Sequence, residues 1–165
     1  MKSRLKYYNR WKKKAKNVKV LFIAESPPKD KSKYFYFEDT EIKGSSLSAH
    51  LFRALKIDKK DKETALEDFI SKKYFLMDAI DDPIFENGKL KSKKKQISNN
   101  LEHINKEIDK LRPKKIIVIG KCVYDILSKQ LDVKLDFVYF PTHWKIKGKE
   151  KTGTELFYEE LKEKI

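Results

Sequence analysis

Val18-Lys-Val-Leu-Phe-Ile-Ala24, halted at once by Glu25-Ser-Pro-Pro28, is the stretch from which the fold can be read. Its apolar and β-branched residues form a near-continuous run of strand length, the mark of a strand buried on both faces. Pro27 and Pro28 lack the amide hydrogens that a central strand needs, so the strand stops there. Three more stretches read the same way. Lys73-Tyr-Phe-Leu-Met-Asp78 is ended by Asp81-Asp-Pro83. Lys115-Ile-Ile-Val-Ile119 runs straight into Gly120. Lys134-Leu-Asp-Phe-Val-Tyr-Phe140 is ended by Pro141.

Helical spacing fills the intervals. Leu5, Tyr8, Trp11 and Ala15 predict a helix near the start. Ser45 or Ser46 can cap a helix with Leu47, Leu51, Ala54 and Leu55 on one face. Asp61 to Ser71 carries Ala65, Leu66, Phe69 and Ile70. Ile97, Leu101, Ile104, Ile108 and Leu111 predict one helix closed by Arg112-Pro113. Val123, Ile126 and Leu127 follow Gly120, and Thr154 to Lys164 forms a closing helix. Residues 29–44 read as a long loop with an aromatic insert, Tyr34-Phe-Tyr-Phe37. Lys89 to Lys95 is a basic run, a loop or a helix start.

Strands alternating with helices predict an α/β fold: three α/β/α layers around a four-stranded parallel sheet with right-handed crossovers. The 165 residues suit one domain, 1–165. A single cysteine, Cys122, excludes an intramolecular disulfide and a cysteine-ligated zinc or iron–sulfur site. Cys122 reads as a small buried apolar residue. No apolar run approaches a membrane span, and Met1 to Lys19 lacks the apolar core of a secretory signal. The expectation is therefore a cytoplasmic monomer without membrane, metal or cofactor.

The formal net charge is +14, and all but four of the 39 basic residues are lysines. Lysines serve as point charges on a nucleic-acid backbone and release counterions, while bidentate readout would favour arginine. Together with 12% aromatic residues, this points to DNA or another nucleic acid as partner. Only five glycines occur, none in a phosphate-cradling pattern, which argues against a nucleotide-processing enzyme.

In parallel sheets, ligands bind outside the carboxyl ends of the strands. The residues there are Glu25 and Ser26, then Asp78, then Gly120 and Lys121, then Phe140, Pro141, Thr142, His143 and Trp144. Ala24-Glu-Ser-Pro27, Met77-Asp-Ala79, Leu111-Arg-Pro-Lys-Lys-Ile-Ile-Val-Ile-Gly120 and Phe140-Pro-Thr-His-Trp144 follow one another in that order. This ordered set resembles the four landmarks of the uracil-DNA glycosylase superfamily. The match is to a branch without an iron–sulfur cluster, which would need four cysteines. Two positions depart from the family pattern. Phe140 stands where the family's His-Pro-Ser loop opens with His, and Asp78 stands where the family reads uracil with Asn.

The resemblance implies a three-layer α/β/α fold and hydrolysis of the N-glycosidic bond of a deaminated or damaged base, flipped out of duplex or single-stranded DNA. It implies Glu25 as the carboxylate that positions water or stabilises the oxocarbenium-like sugar. Otherwise Glu25 caps a turn or pairs with a lysine. His143 is the candidate donor to the departing base. Ser26, Asp78 and Thr142 are candidate base contacts, and Tyr36 or Phe37 could stack on the base. If the aromatic insert is extended, either Tyr34 and Tyr36 or Phe35 and Phe37 face the pocket. Trp144 could act as the family's wedge into the base stack, or pack against the closing helix. Pro27, Lys121, Lys145 and Lys147 are candidate DNA contacts, with Lys149 and the run Lys91 to Lys95 adding charge. His50 and His103 read as helix-face residues. The alternative reading is a binding module of the same fold with a degraded site.

Overall fold

The computed structural model describes residues 2–42, 44–86 and 89–165. Four parallel strands form the main sheet: β1 (Val20–Ala24), β2 (Tyr74–Asp78), β5 (Lys115–Ile119) and β6 (Asp136–Val138). Their spatial order is β2-β1-β5-β6. A separate antiparallel pair of two-residue strands, β3 (Phe85–Glu86) and β4 (Lys89–Leu90), stands apart from it. The helices are α1 (Lys2–Lys14), α2 (Leu47–Ala54), α3 (Lys62–Ser71), α4 (Lys93–Asn99), α5 (Leu101–Leu111), α6 (Lys121–Leu127) and α7 (Gly153–Lys164). The arrangement is the expected three-layer α/β/α fold around an all-parallel sheet.

All five residues of β1 are buried, because it lies between β2 and β5. Ala24 pairs with Asp78 at the carboxyl end of the sheet. The pairing continues two bonds further, from Ala79 N–H to Ala24 O at 2.8 Å and from Ile80 N–H to Glu25 O at 2.9 Å. These bonds fix the backbone of Glu25 beside the end of β2.

The aromatic insert does not run as a strand. Asp30 caps a 3₁₀ turn over Lys31–Lys33, and Phe37 N–H closes a turn onto Tyr34 O at 3.1 Å. Alternation of faces therefore fails there. Tyr36 is 1% exposed, and its hydroxyl donates to Leu76 O at 2.7 Å and accepts from Leu76 N–H at 2.8 Å. Phe37 packs edge-on against Tyr7 of α1, ring centres 5.0 Å apart.

Two of the expected elements differ from the sequence reading. The helix expected through Ile97 to Leu111 breaks at Asn100, between α4 and α5. The Asn100 amide donates to Ala79 O at 2.9 Å and to Asp81 Oδ1 at 3.3 Å, tying the break to the loop after β2. β6 is shorter than expected, since β5 offers it partners only from Ile117 to Ile119 before α6 begins. Ser46, Asp61 and Thr152 cap α2, α3 and α7 as their side chains allow. Cys122 is exposed rather than buried, on the second residue of α6. Among the described residues, no helix is long and apolar enough to cross a membrane.

Candidate active site

A cavity of about 550 Å³ opens at the carboxyl ends of β1, β2 and β5. This is the size range of small-molecule pockets. Ala24, Glu25, Ser26, Pro27 and Pro28 line it from the end of β1. Asp78 comes from β2, Ile119 from β5, Gly120 from the turn after β5, and Phe140 from the loop after β6. Ser46, Leu47 and Ser48 enter at the start of α2, and Tyr34 and Phe35 from the aromatic turn. Lys29 and Lys33 also border it.

Gly120 holds φ at +111°, a conformation that L side chains rarely adopt, so the chain can turn directly from β5 into α6. Its amide donates to Val138 O at 2.8 Å. Gly153, the first residue of α7, sits where a Cβ would be 2.4 Å from Phe140 O and 2.6 Å from Thr142 Cγ2. The bare glycine lets α7 press the 140–142 loop into place. Thr142 O in turn accepts from Thr154 N–H at 2.9 Å and from Thr154 Oγ1 at 3.1 Å.

Glu25 and Asp78 face one cavity in opposite surroundings. Glu25 Oε2 lies 3.1 Å from Lys93 Nζ at the start of α4. Asp78 receives no side-chain hydrogen bond among the described residues. Burial above all, with the nearby Asp81 carboxylate, pushes the Asp78 carboxyl from its ordinary 3.8 up to about 7, against an opposing pull from Arg4. Tyr34 is pushed well above the usual phenol range, by burial first and by the charge of Asp78 second. Asp78 does not turn away to cap the following loop; Asn100 holds that loop instead.

The structure gathers Glu25, Ser26, Pro27 and Asp78 at the cavity. Pro27 is buried in the wall, so it supports the pocket rather than presenting itself to a DNA backbone. Tyr36 and Phe37 do not line the cavity; Tyr34 and Phe35 do. His143 is exposed and outside the cavity wall, its ring centre 4.4 Å from that of Trp144. Thr142 also lies outside the wall, and its hydroxyl accepts from Trp144 N–H at 3.3 Å. Both follow from β6 ending early: the chain leaves the sheet at Val138 and only Phe140 reaches back.

Trp144 is 70% exposed and does not pack on α7. It opens a hairpin-like ribbon closed by Gly153 N–H to Trp144 O at 3.1 Å and Ile146 N–H to Lys151 O at 3.2 Å. Lys145, Lys147 and Lys149 are exposed on that ribbon. Lys121 is exposed too, with Nζ 2.9 Å from Asp125 Oδ2. His50 is held by Tyr158, Nδ1 to hydroxyl at 3.0 Å. His103 Nε2 lies 4.0 Å from Asp81 Oδ1. Among the described residues, no group of three or more His, Cys, Asp or Glu could hold a metal ion.

Sequence reasoning missed Lys93 as the partner of Glu25, because nothing local links a lysine 68 positions away to a strand end. It placed Ser46 at the start of α2 but missed that Ser46 and Ser48 line the cavity.

The model of the Uracil DNA glycosylase superfamily matches residues 12–161. That is nearly the whole chain, and the chain belongs to this superfamily. No curated protein matches it.

Proposed function

We propose that this superfamily member is a DNA glycosylase that hydrolyses the N-glycosidic bond of a deaminated or damaged base. The observation that carries the reading is the pair Glu25 and Asp78 on the wall of one largely apolar cavity at the strand ends. An apolar, aromatic-walled pocket suits a flipped base, with Tyr34 and Phe35 offering ring surface.

In this reading the bond between C1′ and the base nitrogen breaks, its electron pair leaving with the base. Glu25 stabilises the oxocarbenium-like sugar and orients a water, whose oxygen bonds to C1′. The water gives up a proton, and the released base takes one up. Ser26 and Asp78 hold the base edge. Lys145, Lys147 and the exposed Trp144 ribbon meet the DNA backbone and the base stack, and Lys121 adds a further phosphate contact when it leaves Asp125.

A second reading is a base- or DNA-binding module without cleavage. It is favoured by the apolar Phe140 in the cavity wall and by His143 lying outside it.

Duplexes carrying uracil, hypoxanthine, xanthine or no lesion, incubated with the protein and then treated with alkali, separate the two. Strand breaks at one lesion, abolished in Glu25→Gln with DNA affinity retained, support the glycosylase. Binding without breaks at any lesion supports the module. Unchanged single-turnover release by Glu25→Gln removes Glu25 from the mechanism.

A further inference from the structure

A second cavity of about 310 Å³ lies on the other side of Asp78. Pro27, Tyr34 and Asp78 line both cavities and form the partition between them. The back wall of the smaller one comes from α1, which contributes Arg4, Leu5 and Tyr8. These three residues precede the segment that the superfamily model matches.

Arg4 has two relations to the larger cavity. Its Nη2 donates to Pro28 O at 3.1 Å and to Lys29 O at 3.4 Å. It therefore ties down the loop that carries Glu25, Ser26 and Pro27. Its Nε is buried without a hydrogen-bond partner among the described residues. An unpaired buried donor is costly, which suits a side chain held for another purpose. Its charge also acts on the Asp78 carboxyl across the smaller cavity.

We propose that Arg4 is a positioning residue: from behind the partition it fixes the Glu25 loop and holds Asp78 as an acceptor, so that the larger cavity favours base edges rich in donors. The inference rests on the reading of that cavity as a base site. An ionised Asp offers acceptors only, so it suits an exocyclic amine and confronts the O4 of uracil with a lone pair.

Other charged and titratable groups also surround Asp78. Asp81 from the loop after β2 opposes ionisation. Tyr8, Tyr34 and His103 share the smaller cavity, and Glu25, Lys29 and Lys33 border the larger one. Arg4 supplies the guanidinium among the groups that share the smaller cavity.

The test is a carboxyl-carbon NMR titration of Asp78 in the full chain, with Arg4→Met, Arg4→Lys and Asp81→Asn. Arg4→Met should move the midpoint up by about half a pH unit or more, about a threefold change in the ratio of acid to carboxylate. Arg4→Lys keeps the cation and should stay near wild type. Asp81→Asn should move the midpoint down, and it remains informative should Arg4→Met fold poorly. An unmoved midpoint in Arg4→Met, or an equal shift in Arg4→Lys, overturns the proposal. Titrations with free cytosine and free uracil at pH 8 read the specificity. Wild type should favour cytosine, and Arg4→Met should move the ratio toward uracil by about threefold. A ratio that stays fixed while the midpoint moves also overturns it. If neither base binds wild type, the base-site reading fails, whereas the NMR result still decides the link between Arg4 and Asp78.

Discussion

Asp78→Asn should stabilise the protein, and more so at pH 8 than at pH 5. The Asp78 carboxyl titrates at about 7 in the fold against 3.8 ordinarily. The folded chain therefore keeps a proton that the unfolded chain has released between those values. Stability falls as pH rises through that window and stays low above it. Each pH unit of difference is worth about 1.4 kcal/mol, so the full cost above pH 7 is at most roughly 4 kcal/mol, reduced by the solvent that still reaches the carboxyl. At pH 5 less than half of that cost is in place. Asparagine carries no such cost, so the gap between variant and wild type should widen by about 2–3 kcal/mol from pH 5 to pH 8. Equilibrium urea unfolding of both proteins at the two pH values measures it. A gap of the same size at both would refute the raised carboxyl. The same titration bears on the base. Protonated Asp78 can donate and accept as an asparagine amide does, matching the N3–H and O4 of uracil. If uracil is a substrate, wild-type release should fall about tenfold per pH unit above 7, while Asp78→Asn stays flat.

Tyr36→Phe should cost about 1–3 kcal/mol in urea unfolding, because Leu76 N–H and O are left without their buried partner. Gly153→Ala should destabilise by a similar amount, since its methyl meets Phe140 O and Thr142; unchanged unfolding would mean the 140–142 loop yields freely. Replacing Lys145, Lys147 and Lys149 with Gln should lower the salt slope of DNA binding by roughly one for each phosphate no longer neutralised, with the fold intact by circular dichroism. An unchanged slope would move the DNA interface elsewhere. Trp144→Ala should leave stability unaltered, given its exposure, and weaken binding to duplexes with a flipped base.

The layers and the strand ends were legible because burial on both faces leaves a continuous apolar run, and prolines mark where it stops. Val18 to Ala24 and Lys115 to Ile119 carry that signal cleanly. The helix break at Asn100 was not legible, since Ile97, Leu101 and Ile104 keep helical spacing across it. Only the tertiary bond from Asn100 to the loop after β2 reveals a reason for it. The aromatic turn misled for a related reason. Tyr34-Phe-Tyr-Phe37 has strand composition, but Asp30 caps a tight turn and places neighbours, not alternate residues, at the cavity. His143 and Thr142 reach the pocket only if the last strand extends to Phe140. A strand with only three paired residues cannot carry them there.

Glu25 and Asp78 show why the residues at a strand end are easier to read than their chemistry. Both positions follow from the parallel sheet, and both side chains are carboxylates. Their environments differ through groups far away in sequence. Glu25 meets an ammonium from α4 at 3.1 Å. Asp78 meets burial and a second carboxylate, with Arg4 of α1 as the counterweight. In the proposed reaction the two can divide the work, Glu25 beside the sugar and Asp78 as the group whose protonation bears on the base edge it accepts. The division depends on α1 and α4, the elements that bring Arg4 and Lys93 to the strand ends. In the proposed base site, choice of base should therefore vary with the helix that precedes β1 as much as with the residues that line the pocket.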